Sequence, residues 1–231
     1  MKKVLYHGSD HIVGMPSLTL GSLSNDYGRG FYCTEIESMA CEWACKKQTN
    51  GFVNRYELDE EGLRILDLAD GNHTVLNWIA VLLKNRSFKL NSPIAQDARD
   101  YLVKSFGIDT HRYDLIKGYR ADDSYFQYAE SFVSNTLPLR SLNRALMLGK
   151  LGMQTALVSK KAFDKLRFID AYQADVSTWF PRFNDRDTEA RKAYKDEVAN
   201  SRTYRYDIYM LDILREGIRN DDPRIQRIVL K

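Results

Sequence analysis

The sequence predicts an α+β protein forming one domain over residues 1–231, and three observations carry that expectation. The first seventy residues hold short alternating segments of strand character. From Asn72 the apolar period changes to that of a helix, and after Gly152 strand-like segments return. In order, "KVLY" (3–6) and residues 30–33 read as strands on either side of a loop rich in Gly, Ser and Pro. A helix begins near Glu37 with Met39, Ala40, Trp43 and Ala44 on one face. "GFVNRYELDEEGLRILDL" (51–68) reads as two strands with Phe52, Tyr56 and Leu58 on one face. Residues 72–149 read as a mainly helical insertion. Val75, Ile79, Leu82 and Leu83 fall at helical spacing, as do Ala95, Ala98, Leu102 and Phe106, then Tyr125, Ala129, Phe132 and Val133. One strand, "YDLIKGY" (113–119), interrupts them. "QTALVS" (154–159) and "LRFIDAY" (166–172) then read as strands joined by a short helical turn. Beyond Pro181 a helical tail is expected to the end of the chain, with Tyr206, Tyr209, Met210 and Ile213 as its apolar face.

The chain has 231 residues, 44% hydrophobic and 28% charged, which supplies one sizeable core and argues against disorder. The net charge is +3, and residues 182–231 hold twelve Lys/Arg against ten Asp/Glu, so no basic nucleic-acid footprint stands out. Three cysteines, two of them (Cys41 and Cys45) one helical turn apart, form no metal-ligand spacing and read as reduced thiols packed in a helix. The longest apolar run, around Ile79 to Leu83, is too short to span a bilayer, and no signal-type segment opens the chain. A cytoplasmic protein with no membrane partner is expected. No internal repeat, low-complexity tract or Gly/Ser linker divides it.

Two segments carry chemistry. "LYHGS" (5–9) ends a strand on His7, followed by a glycine that lets backbone approach a ligand and by the hydroxyl of Ser9. "GRGFYCTE" (28–35) brings Arg29, Gly30, Phe31, Tyr32 and Thr34, and Trp43 follows eleven positions after Tyr32. Taken singly, His7 is a structural hydrogen-bonder, "GRG" a bulge or turn, and the aromatics the core of a strand–helix unit. Taken together, they make a pocket for a flat cation. Two aromatic faces on either side of such a ring supply stacking and cation–π attraction of roughly 0.5–2 kcal/mol each.

"YHGS" followed by "RGFY" and a small hydroxyl residue resembles the ADP-ribosyltransferase superfamily, in the branch of diphtheria toxin and the poly-ADP-ribose polymerases. The resemblance covers residues 4–44, and it implies the split, mixed sheet of that fold and NAD+ as co-substrate. By it, Tyr32 and Trp43 sandwich nicotinamide, with tryptophan in the second aromatic place. His7 meets the adenosine ribose, and backbone groups at Gly8 bind the nicotinamide amide. Ser9 and Thr34 supply hydroxyls, and Gly30 and Phe31 belong to the same nucleotide-binding set. Arg29 either reaches the pyrophosphate or is a solvated turn residue.

The family's third element is a glutamate on a later strand that stabilises the oxocarbenium-like sugar as nicotinamide leaves. The matching position here, in "LGMQTALVSK", is Gln154, which keeps the hydrogen-bond geometry and gives up the charge. A carboxylate is therefore sought elsewhere. Asp122 and Asp123, in "GYRADDSYF", either cap a helix or enter the active site, and comparable "ADD" stretches occur in bacterial proteins carrying the same two elements. Glu35, Glu42 and Glu130 have weaker claims. The resemblance implies transfer of one ADP-ribose unit from NAD+ to a macromolecular acceptor, protein or nucleic acid, without a metal. By analogy it implies an intracellular bacterial toxin of a toxin–antitoxin or phage-defence system, with an antitoxin protein as partner. An NAD glycohydrolase, a non-catalytic NAD- or partner-binding module, and a helical interaction protein without a nucleotide site are the alternatives.

Overall fold

The structure, a computed structural model, describes residues 1–121, 123–147, 152–200, 204–225 and 227–229. In chain order its elements are β1 (Lys2–Ser9), β2 (Phe31–Cys33), α1 (Glu37–Cys45), β3 (Gly51–Asp59), β4 (Ile65–Asp67), β5 (Asp70–Thr74), α2 (Val75–Asn85), α3 (Pro93–Phe106), β6 (Leu115–Tyr119), α4 (Asp123–Val133), α5 (Leu139–Met147), β7 (Met153–Leu157), α6 (Lys160–Asp164), β8 (Leu166–Ala174), α7 (Val176–Asn200), α8 (Met210–Glu216) and β9 (Arg227–Val229). The protein is α+β. Its chain forms two compact units, one of Met1–Asp67, Thr110–Gly118 and Gly152–Thr188, the other of Leu68–Asp109, Tyr119–Leu151 and Glu189–Lys231. The segment expected as a helical insertion and the C-terminal segment both fall mainly in the second unit, while most of β6 belongs to the first.

The first unit contains an antiparallel sheet ordered β1-β3-β8 and a four-stranded sheet ordered β2-β7-β6-β4. The second sheet is mixed, because β2 runs antiparallel to β7 and β4 parallel to β6. One antiparallel bridge joins the two sheets: Tyr6 N–H donates to Thr34 O at 2.8 Å, and Thr34 N–H to Tyr6 O at 2.9 Å. The alternation read from the sequence decides which faces are covered. Tyr56 and Leu58 join Leu5, Phe31, Cys33, Leu115 and Leu157 in one core, and Phe52 stays half-buried.

Helix α1 covers the opposite face of β1 and β3, packing Ala40, Cys41, Ala44 and Cys45 against Val53 and Ala174. Two glycines permit that approach. A Cβ on Gly8 would lie 2.0 Å from Ala40 O, and one on Gly51 would lie 2.2 Å from Ala44 O. All three cysteines are reduced and buried.

In the second unit, α2 is buried on every side from Val75 to Leu83, which the sequence had suggested for one face only. The amide of its buried stretch is satisfied in place: Asn77 accepts from Thr74 N–H at 2.8 Å and donates to Phe106 O at 2.8 Å. Helix α3 starts on a Ser92 cap that accepts from Ala95 N–H, with proline at the first turn. It buries Ala95, Ala98, Leu102 and Phe106 as the spacing predicts. The expected helical tail is corrected. Helix α7 spans Val176–Asn200 among the described residues, Tyr206 is almost fully exposed ahead of α8, and α8 stops at Gly217 in the left-handed region (φ 62°). A strand, β9, follows and pairs antiparallel with β5. Met210 and Ile213 do form the buried face of α8. No helix among the described residues is long and apolar enough to cross a membrane.

Candidate functional site

His7 lies near the end of β1, one residue past the bridge that joins the two sheets. Its Nδ1 is 2.7 Å from Tyr32 O. A carbonyl oxygen only accepts, so Nδ1 carries the proton and the neutral ring keeps Nε2 as an acceptor. Burial pushes the imidazole below its ordinary value, against the opposing pull of the Tyr32 carbonyl. The ring rests 4.4 Å from that of Phe31, which is itself a core residue rather than a pocket wall.

The backbone of Gly8 is placed by strand alternation. Both backbone groups of Tyr6 point toward Thr34, so those of Gly8, two residues on, point to the same edge of β1 beyond the bridge. Ser9 donates its hydroxyl proton to His11 O at 2.6 Å and accepts from Asn54 Nδ2 at 2.9 Å. Asn54 is fully buried and also accepts from Val13 N–H at 2.7 Å, so it fixes the start of the β1–β2 loop. Its signal in the sequence is a polar residue in register with Phe52, Tyr56 and Leu58 on a core face. Thr34 is likewise committed to structure, donating to Met153 O at 3.0 Å and accepting from Ile36 N–H at 3.1 Å.

Tyr32 pairs directly with Ala156 across β2 and β7, so Gln154, two residues from Ala156, shares the face that bears Tyr32. Thus His7, Tyr32 and Gln154, far apart in sequence, converge on neighbouring strands. The hydroxyl of Tyr32 donates to Gly28 O at 2.7 Å and accepts from Tyr27 N–H at 3.0 Å. Gly28 takes a positive φ of 80° to make that turn. Buried Tyr27 lies near-parallel to Tyr32, with ring centroids 6.4 Å apart. Trp43 is half-buried, whereas its neighbours Glu42 and Ala44 are buried. Its ring meets Phe183 at 6.4 Å and holds the exposed Lys46 ammonium 3.9 Å from its centroid. That face already binds a cation. Glu42, one of the weaker acid candidates, forms an ion pair with Arg186 at 2.7 Å.

Gln154 is 7% exposed, and its Nε2 donates to Asp26 Oδ2 at 2.8 Å. Asp26 is itself 8% exposed. Nothing local in the sequence singles it out, because "SNDYGRG" reads as turn chemistry and names no partner. Arg29 and Glu35 are exposed, and Glu35 pairs with Lys3 at 2.8 Å. Gly30 is buried, and a Cβ there would meet Leu157 O at 2.8 Å. Asp122 lies outside the described residues, and Asp123 is the first residue of α4, in the second unit. Glu130, on the same helix, accepts from Lys89 N–H at 3.2 Å.

The second unit has a concavity of about 550 Å³ lined by Leu139, Arg140, Tyr204, Tyr206, Asp207 and Arg224. Its cations are neutralised, Arg140 by Asp207 and Arg224 by Asp222 and Glu216, so it makes no anion site.

A family model described as "Protein of unknown function (DUF3990)" matches residues 3–168, which takes in both motif segments and Gln154. No curated protein and no solved structure matches the chain.

Proposed function

The chain belongs to the DUF3990 family, and from its own residues we propose that it is a mono-ADP-ribosyltransferase with the split sheet of that superfamily. It would transfer ADP-ribose from NAD+ to a macromolecular acceptor and release nicotinamide. The observation that carries this is the meeting of His7, Tyr32 and Gln154 at the point where the two sheets part. Those are the three positions at which the resemblance implies its nucleotide-binding and catalytic residues.

Each side chain supports a definite task. The edge groups of Gly8 suit a carboxamide, which offers one acceptor and one donor pair. Neutral His7 offers Nε2 to a ribose hydroxyl. Tyr32 and Trp43 supply ring faces, and the planar nicotinamide cation would take the place of the Lys46 ammonium over Trp43. When the bond from C1′ of the ribose to the nicotinamide nitrogen breaks, its electron pair leaves on that nitrogen and nicotinamide departs uncharged. The sugar becomes positive at C1′, and Gln154 faces it. The acceptor's nucleophilic atom then bonds to C1′ and gives up its proton to solvent. Four large apolar side chains exposed on the β1–β2 loop (Ile12, Met15, Leu20 and Leu23) favour a macromolecule over water as acceptor. A cytoplasmic toxin paired with an antitoxin is the biological setting that this activity fits.

The test incubates the protein with labelled NAD+ and a bacterial lysate, following free nicotinamide and label on macromolecules. The parent should do both, and Gln154→Ala should lose about 100-fold in rate while remaining folded. His7→Ala should lose both activities as well. Nicotinamide release without label identifies a glycohydrolase, and neither signal from the parent sinks the proposal.

A further inference from the structure

Glutamine at the third motif position has the reach of a glutamate without its charge. The structure returns a carboxylate to that position from another part of the chain. Asp26 stands 2.8 Å from Gln154 Nε2, and both residues are buried. A carboxylate only accepts hydrogen bonds, so it fixes which prong of the amide faces it. The NH2 group turns to Asp26, and the carbonyl oxygen Oε1 is held on the other prong. A full negative charge on the donor side also polarises the amide and makes Oε1 a stronger acceptor in a low-dielectric setting.

The carboxylate is itself held in place. Asp26 sits in a turn closed by Gly28 N–H donating to Asn25 O at 2.9 Å. The Tyr32 hydroxyl bonds that turn at both Tyr27 N–H and Gly28 O. The aromatic ring and the acid therefore reach the site as one assembly.

Resting on the transferase reading above, we infer that Asp26 is a positioning residue that acts through Gln154. It orients and polarises the amide so that Oε1 does the work of a glutamate oxygen beside the sugar as C1′ becomes positive. Asp26 forms no bond to substrate and gives up no proton in the step.

The experiment measures nicotinamide release from NAD+ in the presence of lysate for the parent, Asp26→Asn, Gln154→Glu and the double variant, with thermal melting of each. Asp26→Asn should lower kcat at least tenfold with KM for NAD+ changed less than twofold, since an asparagine no longer dictates the orientation of the amide. Gln154→Glu should also lose at least tenfold, because it sets two carboxylates against each other. Asp26→Asn/Gln154→Glu restores one donor and one charge with their places exchanged, and should return to within about threefold of the parent. A structural hydrogen bond alone would move melting temperatures and leave kcat in place. If the parent turns over NAD+ and Asp26→Asn keeps kcat within twofold, the inference falls while the function stands. Should Asp26→Asn not fold, Gln154→Glu decides, and activity equal to or above the parent overturns the inference. A parent that releases no nicotinamide overturns both.

Discussion

At the scale of single residues, His7 shows how position sets chemistry. Tyr32 O holds the proton on Nδ1, and burial keeps the ring neutral, so the folded protein resists protonation at a group that the unfolded chain protonates near its ordinary value of 6.5. As pH falls through that value the unfolded state binds more protons than the folded one, and stability falls with it. Between pH 7 and 5 the slope due to this residue is positive and at most about 1.4 kcal/mol per pH unit. Urea denaturation at pH 5, 6 and 7 should show that slope in the parent and a flatter one in His7→Gln. Nicotinamide release by the folded protein should decline only at lower pH than the stability does, because its buried ring takes up a proton, and Nε2 ceases to be an acceptor, below the ordinary value. An unchanged slope in the variant would show that His7 titrates as it does in the unfolded chain.

At the scale of elements, the contact of α1 with β1 and β3 depends on the absence of two side chains. Gly8 lies in a segment expected to bind nicotinamide, yet its lack of a Cβ is already required by Ala40 O at 2.0 Å. Packing across the sheet face thus demands glycine by itself, while the backbone groups of Gly8 point to the strand's edge. Gly8→Ala should cost about 1–3 kcal/mol, because the obstacle is helix backbone and does not rotate away. Gly14→Ala, at an exposed position with nothing within 4 Å of the added atom, should stay within about 0.5 kcal/mol of the parent. Equilibrium unfolding of the two variants side by side measures the difference. Equal stabilities would mean that α1 can lift off the sheet at little cost.

At the scale of the whole molecule, binding is read most directly as stability. A ligand that binds only the folded chain adds about 2.7 kcal/mol at a hundredfold excess over Kd. For a chain of 231 residues each kcal/mol moves the melting temperature by about 2–4 °C. Saturating NAD+ should therefore raise the melting temperature of the parent by about 5–10 °C. Trp43→Ala should fold, since Trp43 is only half-buried, and show a smaller rise at the same NAD+ concentration. No rise in the parent would make Tyr32 and Trp43 packing residues and nothing more.

Local periodicity in the sequence was enough to mark β1, β2, α1, β3, β4, β6, β7 and β8 within a few residues, because alternation and helical spacing are properties of neighbours in the chain. It also marked α3 and its buried face, whereas His7, Tyr32 and Gln154 were pointed to by the resemblance of the motif segments. What the tertiary structure alone decided is which distant groups meet. The Asp26–Gln154 bond spans 128 positions, Phe183 reaches Trp43 from a later helix, and β9 pairs with β5 where a helix was expected. None of these has a local period, because each is selected by burial and hydrogen-bond satisfaction once the sheets and helices are assembled. The carboxylate beside Gln154 is therefore found only in the fold, where a turn residue supplies it.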